Sequence, residues 1–423
     1  MRQAQPCVEA ILTLRTLIGA FAVAALFAAP ASAQTRAATE TAFRSWLEND
    51  VWPEAQAHGV SREVFAASLD GVMLNWKLPD LVPPGQKAKT PKVQHQAEFG
   101  SPGAYFTEKV IGAVVSGGTK RATSQNALLA RIEKQSGVPG SVVLAIWGRE
   151  SGFGAAKIPH NAFEVLATKA FMSTRAAMFR KELVAALDIV QAGYIAPSAM
   201  RSSWAGALGQ PQFMPAKYLA HAVDQDGDGK RDIWNSVPDT LGSIANYLKD
   251  FGWDRTRGWG YEVSVPETMS CANEGPDQGR KGSAWIKAGL ARVGGKPLPD
   301  SELAKELFLL MPAGRSGPAF LVTPNFYVLK EYNESDLYAL FIGHAADRIN
   351  GGKAGFSAPW GPVGGLFRSD IAAMQRKLEA MGHDVGGADG LPGYKTRRSI
   401  GVWQEKNGRR PTCFPDKELK SAL

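Results

Sequence analysis

The stretch Gly137-Val138-Pro139-Gly140-Ser141-Val142-Val143-Leu144-Ala145-Ile146-Trp147-Gly148-Arg149-Glu150-Ser151-Gly152-Phe153-Gly154 reads as a single helix with a marked start and a marked end. Pro139 suits a first turn, where its missing N–H would have no partner, and Gly152 and Gly154 suit a stop. Val143, Ile146, Trp147 and Glu150 then fall at helical offsets, which places a carboxyl group on the apolar stripe. Burial and the negative end of the helix dipole both disfavour its ionised form, so the spacing predicts a raised pKa for Glu150. A carboxyl group that keeps its proton near neutral pH suits the general acid of glycosidic-bond cleavage. The competing reading is a structural glutamate paired with Arg149 or another base. The small Ser and Gly residues behind Glu150, which leave room for a ligand, favour the catalytic one.

Working outward, Ser202-Ser203-Trp204-Ala205-Gly206-Ala207-Leu208-Gly209-Gln210-Pro211-Gln212-Phe213-Met214-Pro215 combines small residues, which let backbone approach a ligand, with the Gln212 amide, which both donates and accepts. A third segment, from Asn325-Phe326-Tyr327 through Tyr332-Asn333 to Tyr338, carries aromatics and amides of the kind that line a glycan groove; the same residues also suit an ordinary core. Helical spacing recurs from Thr41 to Leu69 as two helices, from Tyr105 to about Tyr194, and from Pro238 to Trp253. Residues 78–90 read as an extended surface segment. Between 254 and 318 short runs such as Tyr261–Val265 and Leu307–Met311 alternate with Gly and Pro, the texture of a small strand-containing insertion.

The chain begins with Arg2 and Arg15 around an apolar run from Leu17 to Ala29, then Pro30 and Ala31-Ser32-Ala33, the pattern of a cleaved signal peptide over residues 1–33. The run falls short of the roughly twenty residues that span a bilayer. Cys7 precedes the run, so it cannot carry a lipid as the first residue of a mature chain. The expected location is the periplasm, peripheral to the membrane at most. The formal charge is +8, of which the leader holds +1; the remaining +7 suits an acidic polymer outside the membrane, or plain solubility. Export and the lack of basic runs interleaved with aromatics argue against nucleic acid. An oxidising compartment would let Cys271 and Cys413 pair if the fold brings them together, yet they fall in different expected domains, which favours two separate thiols.

In combination and in this order, the Glu150-Ser151 pair, the GALGQPQFMP run and the PNFY and YN runs resemble the membrane-bound lytic murein transglycosylase B family, over roughly Phe43 to Ala345. The resemblance implies an α+β, mainly α-helical fold, lysozyme-like, for residues 34–348, with the insertion at about 254–318. It implies that Glu150 acts as acid and then base, and that Ser203, Gln212, Tyr247, Tyr332, Asn333 and Tyr338 line the sugar sites. The implied reaction cuts the β-1,4 bond between N-acetylmuramic acid and N-acetylglucosamine in peptidoglycan glycan strands and forms a 1,6-anhydromuramoyl product. No cofactor is required for that chemistry. A hydrolase would need a second carboxylate, and none stands at a comparable apolar position within the motifs. A muramidase and a non-catalytic wall-binding scaffold are the alternatives, and wall-synthesis proteins are candidate further partners.

Asp224-Gln225-Asp226-Gly227-Asp228-Gly229 matches the opening of a calcium-binding EF-hand loop, yet its twelfth position is Asn235, a poor closing ligand. The family resemblance implies a longer loop closed by Asp239, with Lys230 giving its backbone carbonyl and Ca2+ in a structural role. Residues 349–365, rich in Gly and Pro, read as a linker to a module at 366–423. Within it, Ile371, Met374, Gln375, Leu378, Asp389-Gly390, Thr396, Ile400 and Trp403-Gln404 resemble a small three-helix peptidoglycan-binding domain, which would tether the catalytic part to its substrate.

Overall fold

The computed structural model describes residues 31–87, 102–352, 355–362 and 365–423. The leader proposed for residues 1–33 lies outside them except at its last three positions, as does the stretch 88–101 with the end of the expected surface segment. The helix Gly140–Ser151 is the centre of the molecule, packed on by Glu108–Ser124, Val237–Asp250 and Asp336–Ile349. The sequence pattern predicted one buried stripe. Every residue from Gly140 to Gly148 is buried, including Val142, Leu144 and Ala145 off that stripe. A helix apolar on all sides needs neighbours on all sides, and this one has them.

The N-terminal region forms a helix Ala31–Trp46, one π-helical turn Leu47–Val51, and the continuation Trp52–Ala57, followed by Arg62–Leu69. Pro53 stands just past the π turn and lacks the N–H that a regular helix would use there. Ser61 caps the last of these helices, its Oγ accepting from Val64 N at 3.2 Å.

The insertion is an antiparallel five-stranded sheet in the spatial order Arg280–Lys281, Glu306–Leu310, Ala319–Val322, Gly260–Ser264, Ala291–Arg292. Its central strand, Ala319–Val322, lies beyond the boundary expected at 318. All four of its residues are apolar and buried, so no alternation marked it as a strand. Asn325 pins the base of the insertion: its Oδ1 accepts from Asp254 N at 2.8 Å and its Nδ2 donates to the carbonyls of Asp254 and Arg257. Asn325 and Phe326 are fully buried, so this part of the third segment is core and lines no groove.

The C-terminal module has three helices, Arg368–Ala380, Tyr394–Lys406 and Lys417–Ala422, around Met374, Leu378, Val385, Ile400, Trp403 and Leu419. The segment expected to be a linker is not a free spacer where it is described. Trp360 stacks on Phe106 with ring centroids 5.1 Å apart, Phe356 packs on His344, and the N–H groups of Ser357 and Ala358 donate to the Glu262 carboxylate.

The cysteines correct the sequence reading: Cys271 and Cys413 form a disulfide, with Cα atoms 6.1 Å apart. Separate thiols were expected from separate domains, but the module docks on the insertion and both sulfurs lie in the insertion's own core with Met269, Trp285, Leu307 and Leu309. Gly401 makes room, since a Cβ there would come within 2.4 Å of Cys271. The bond spans 142 residues. By loop-closure entropy it stabilises the fold by about 5 kcal/mol. Reduction, or Cys413→Ser, is therefore expected to lower the melting temperature clearly; equal melting curves with and without reductant would count against that contribution.

Candidate active site

Glu150 is half-buried at the last turn of the central helix. Tyr338, the third residue of the helix Asp336–Ile349, donates its phenol hydrogen to Glu150 Oε1 at 2.5 Å. Tyr332 stacks on Tyr338 at an interplanar angle of 11° and donates to the Pro211 carbonyl at 2.7 Å. These contacts bring Glu150, Tyr332 and Tyr338 together with the turn 209–212. Arg149, the alternative partner of Glu150, turns elsewhere: its Nη2 donates to Tyr105 Oη at 2.8 Å, and its guanidinium lies over the rings of Tyr105 and Phe341.

Burial raises the pKa of Glu150, against the opposing pull of the Tyr338 hydrogen bond and of the positive charges on Arg149 and Lys217. The charged groups acting on Glu150 are thus both cations. Burial, followed by the nearness of Glu150, pushes the phenols of Tyr332 and Tyr338 far above the usual range, so both stay protonated donors.

The Gly-rich run forms a tight turn against the end of the acid helix. Gln210 Oε1 accepts from Trp147 Nε1 at 2.8 Å and its Nε2 donates to the Trp234 carbonyl. Gly209 has φ 61°, and a Cβ on it would lie 2.7 Å from the Ile233 carbonyl oxygen, so no other residue fits. Gln212 also takes a left-handed φ of 55°, held by its own side chain donating to the Gly209 carbonyl at 2.8 Å. Such a conformation in a non-glycine residue marks a position that the surroundings enforce. Ser203 spends its Oγ on the N–H groups of Ala205 and Ala207, shaping the same turn.

One expectation changes. Tyr247 exposes none of its surface, so it stands behind the cleft wall and does not line it. Its hydroxyl donates to the Glu331 carbonyl and accepts from Lys217 Nζ at 2.7 Å, and its ring packs on Phe213 and Tyr332. Asn333 is exposed on the loop before Asp336–Ile349, where its Oδ1 accepts from Ser335 N. Lys217 and Gln210 were missed by sequence reasoning. Gln210 stood inside the quoted run, and Lys217 two residues beyond it at the start of the helix Pro215–His221. Burial lowers the pKa of Lys217, and Glu331, Glu182, Glu334 and Glu150 oppose that shift.

The acidic loop brings Asp224, Asp226, Asp228 and Asp239 together, with carboxylate oxygens within 4.8 Å of one another. Asp224 accepts from the N–H groups of Gly227, Asp228 and Gly229, while buried Asp239 accepts from those of Gln225 and Asp232. Lys230 enters through its N–H, which donates to Asp228 Oδ1 at 2.8 Å. Ser236 joins the loop to the helix Val237–Asp250, donating to Asp226 and accepting from Asp239 N.

The raised pKa of Glu150 has a consequence for stability. A carboxyl whose folded-state pKa exceeds its unfolded value weakens the fold as pH rises through that window, because ionisation is harder inside. Glu150→Gln is expected to be more stable than the parent at pH 7 by on the order of 1 kcal/mol and to lose that advantage below about pH 4. Calorimetry at both pH values checks this; an advantage that does not depend on pH would argue against burial as the cause.

Among known proteins, the sequence pattern of the transglycosylase SLT domain matches residues 42–347. The crystal structure of SltB3 from Pseudomonas aeruginosa in complex with NAG-anhNAM-pentapeptide superposes with a TM-score of 0.79 at 35% identity, covering 90% of this chain and 98% of that one. The same protein in complex with NAG-NAM-pentapeptide gives 0.80 at 34%, covering 90% and 99%. Membrane-bound lytic murein transglycosylase B of Escherichia coli strain K12 is 31% identical over 207 residues, 49% of this chain and 55% of that protein, so the match spans about half the length of that curated relative. With a lysozyme-like, mainly helical architecture and a domain pattern that covers most of its length, this chain belongs to the transglycosylase SLT domain family.

Proposed function

We propose that this protein is a lytic transglycosylase that cleaves the β-1,4 bond between N-acetylmuramic acid and N-acetylglucosamine in peptidoglycan. One observation carries the reading: a carboxyl group raised by burial, contacted by a phenol and, among the described residues, acted on by two cations. Protonated Glu150 gives its proton to the leaving glycosidic oxygen as the C1–O bond breaks. The resulting carboxylate accepts the Tyr338 hydrogen bond and the field of Arg149 and Lys217. It then removes the proton of the muramoyl 6-hydroxyl while that oxygen bonds to C1, closing the 1,6-anhydro ring and restoring protonated Glu150. A retaining or inverting hydrolase would call for a second carboxylate about 5–9.5 Å away; among the described residues the charged groups acting on Glu150 are Arg149 and Lys217. The SltB3 complex with an anhNAM ligand supports the same product class.

The wider reading is of an exported, periplasmic enzyme whose leader ends near Ala33 and whose three-helix module binds the wall. Among the described residues no helix is long and apolar enough to cross a membrane. The acidic loop is read as a structural Ca2+ site. Its donors are hard carboxylate oxygens, as that ion requires, and four of them converge within 4.8 Å, where a cation would offset their repulsion. Asp224, Asp226, Asp228 and Asp239 would hold the ion, with the Lys230 carbonyl as the fifth candidate, and the ion would stiffen the entry to the helix Val237–Asp250.

Mass spectrometry of digested sacculi tests the reaction: anhydromuramoyl ends are expected from the parent protein and none from Glu150→Gln, while reducing ends would establish a muramidase. Sacculus binding that persists in Glu150→Gln alongside undiminished lysis would show that another residue is the acid. For the metal, chelation is expected to lower the melting temperature of the parent protein and to leave that of Asp239→Asn unmoved; a parent melting temperature indifferent to chelator would remove the calcium reading.

A further inference from the structure

The helix Tyr394–Lys406 of the C-terminal module buries an arginine that wall binding does not call for. Arg397 is 3% exposed. Its Nε and Nη2 donate to Glu274 Oε1 at 3.0 and 2.6 Å, its Nη1 donates to the Pro392 carbonyl, and its Nη2 also donates to Asp336 Oδ2 at 2.9 Å. One guanidinium thus joins the sheet insertion, its own module and the helix that carries Tyr338. The remaining links lie within a single turn of that helix. Ser335 Oγ accepts from Tyr338 N at 3.1 Å as the cap, and Tyr338 Oη donates to Glu150.

We infer that Arg397 is a positioning residue for the acid: by fixing Asp336 it sets the first turn of the helix Asp336–Ile349 so that the Tyr338 phenol meets Glu150. The inference rests on the reading of Glu150 as the acid. It makes the C-terminal module part of the active-site scaffold in addition to any tethering role. Arginine is suited to the task because its planar fork engages two carboxylates at once, which a lysine ammonium does less well. Asp336 answers to it strongly: burial opposes ionisation, yet Lys330 and Arg397 together hold its pKa at about 2. Near this contact the two parts are separated by a cavity of about 630 Å³, lined by Lys330, Asn333, Asp336, Gly387, Tyr394 and Arg397. The Arg397–Asp336 ion pair lies at its edge.

The test compares the full chain with Arg397→Gln, Arg397→Lys and Ser335→Ala, following anhydro-product release from about pH 4 to about pH 9. Sacculus binding and thermal unfolding are measured alongside. The groups facing Glu150 are Tyr338, Tyr332, Arg149 and Lys217, and none of them is altered by these substitutions. Activity needs protonated Glu150, so it falls as pH rises through the Glu150 pKa. The Tyr338 hydrogen bond lowers that pKa, so losing the bond moves the alkaline limb of the profile upward. Arg397→Gln is expected to lower kcat by about tenfold or more with that upward shift. Ser335→Ala, which breaks the middle link and is the milder change for folding, is expected to shift the limb in the same direction by less. Arg397→Lys is expected to recover part of kcat. The proposal is overturned if activity in Arg397→Gln follows the folded fraction with the limb unmoved, or if the Ser335→Ala profile matches that of the parent. Absence of anhydro product from the parent would defeat the proposed function instead; the Glu150 titration, read by NMR in the same variants, would then show whether the Arg397 linkage holds, by the same upward shift or its absence.

Discussion

The hydrogen bond from Tyr338 Oη to Glu150 Oε1 is the contact around which the site is organised. It ties together two helices that also meet through the Asn350–Ser141 hydrogen bond and the stacking of Arg149 on Phe341, and it bears directly on when Glu150 gives up its proton. Burial holds the proton on; the phenol and the two cations pull the other way. An acid that must also serve as a base requires this kind of opposition, because either influence alone would fix one protonation state. Each polar member is in turn held by something outside the site. Tyr332 is anchored on the Pro211 carbonyl, Lys217 on Tyr247 and the Glu331 carbonyl, and Trp147, one turn before Glu150, on Gln210.

Much of this was legible from local pattern. The offsets of Val143, Ile146 and Trp147 located the helix and its carboxyl group, and the Gly-rich run located a turn that a Cβ at position 209 would destroy. Gly and Pro punctuation placed two strands to within a residue of where they lie. Local pattern failed where the deciding fact was a distant neighbour. Tyr247 has the residue type of a sugar contact, and only the packing of Phe213 and Tyr332 over its ring shows that it is enclosed. Lys217 gave no signal in its short helix, because its importance comes from a tyrosine thirty residues on and a backbone carbonyl further still.

The C-terminal module shows the same limit on a larger scale. Its composition and helical spacing read as a small unit behind a linker, and its small core of Met374, Leu378, Ile400 and Trp403 is consistent with that. Yet it contributes Cys413 to the core of the insertion and Arg397 to a buried ion-pair cluster with Glu274 and Asp336. Such a cluster stabilises little over a well-packed apolar alternative, while loss of one member leaves a charge stranded without water. It therefore specifies how the parts are arranged more than it holds them together.

The disulfide also has a meaning in time. During synthesis Cys413 follows Cys271 by 142 residues, an interval of roughly 7–30 s at ordinary translation rates. Throughout it Cys271 lacks the partner it has in the fold. The sheet, the helix bearing Tyr338 and most of the C-terminal module must all emerge before the second sulfur exists. The bond closes only when all of these parts are present, and it seals their arrangement once they have come together.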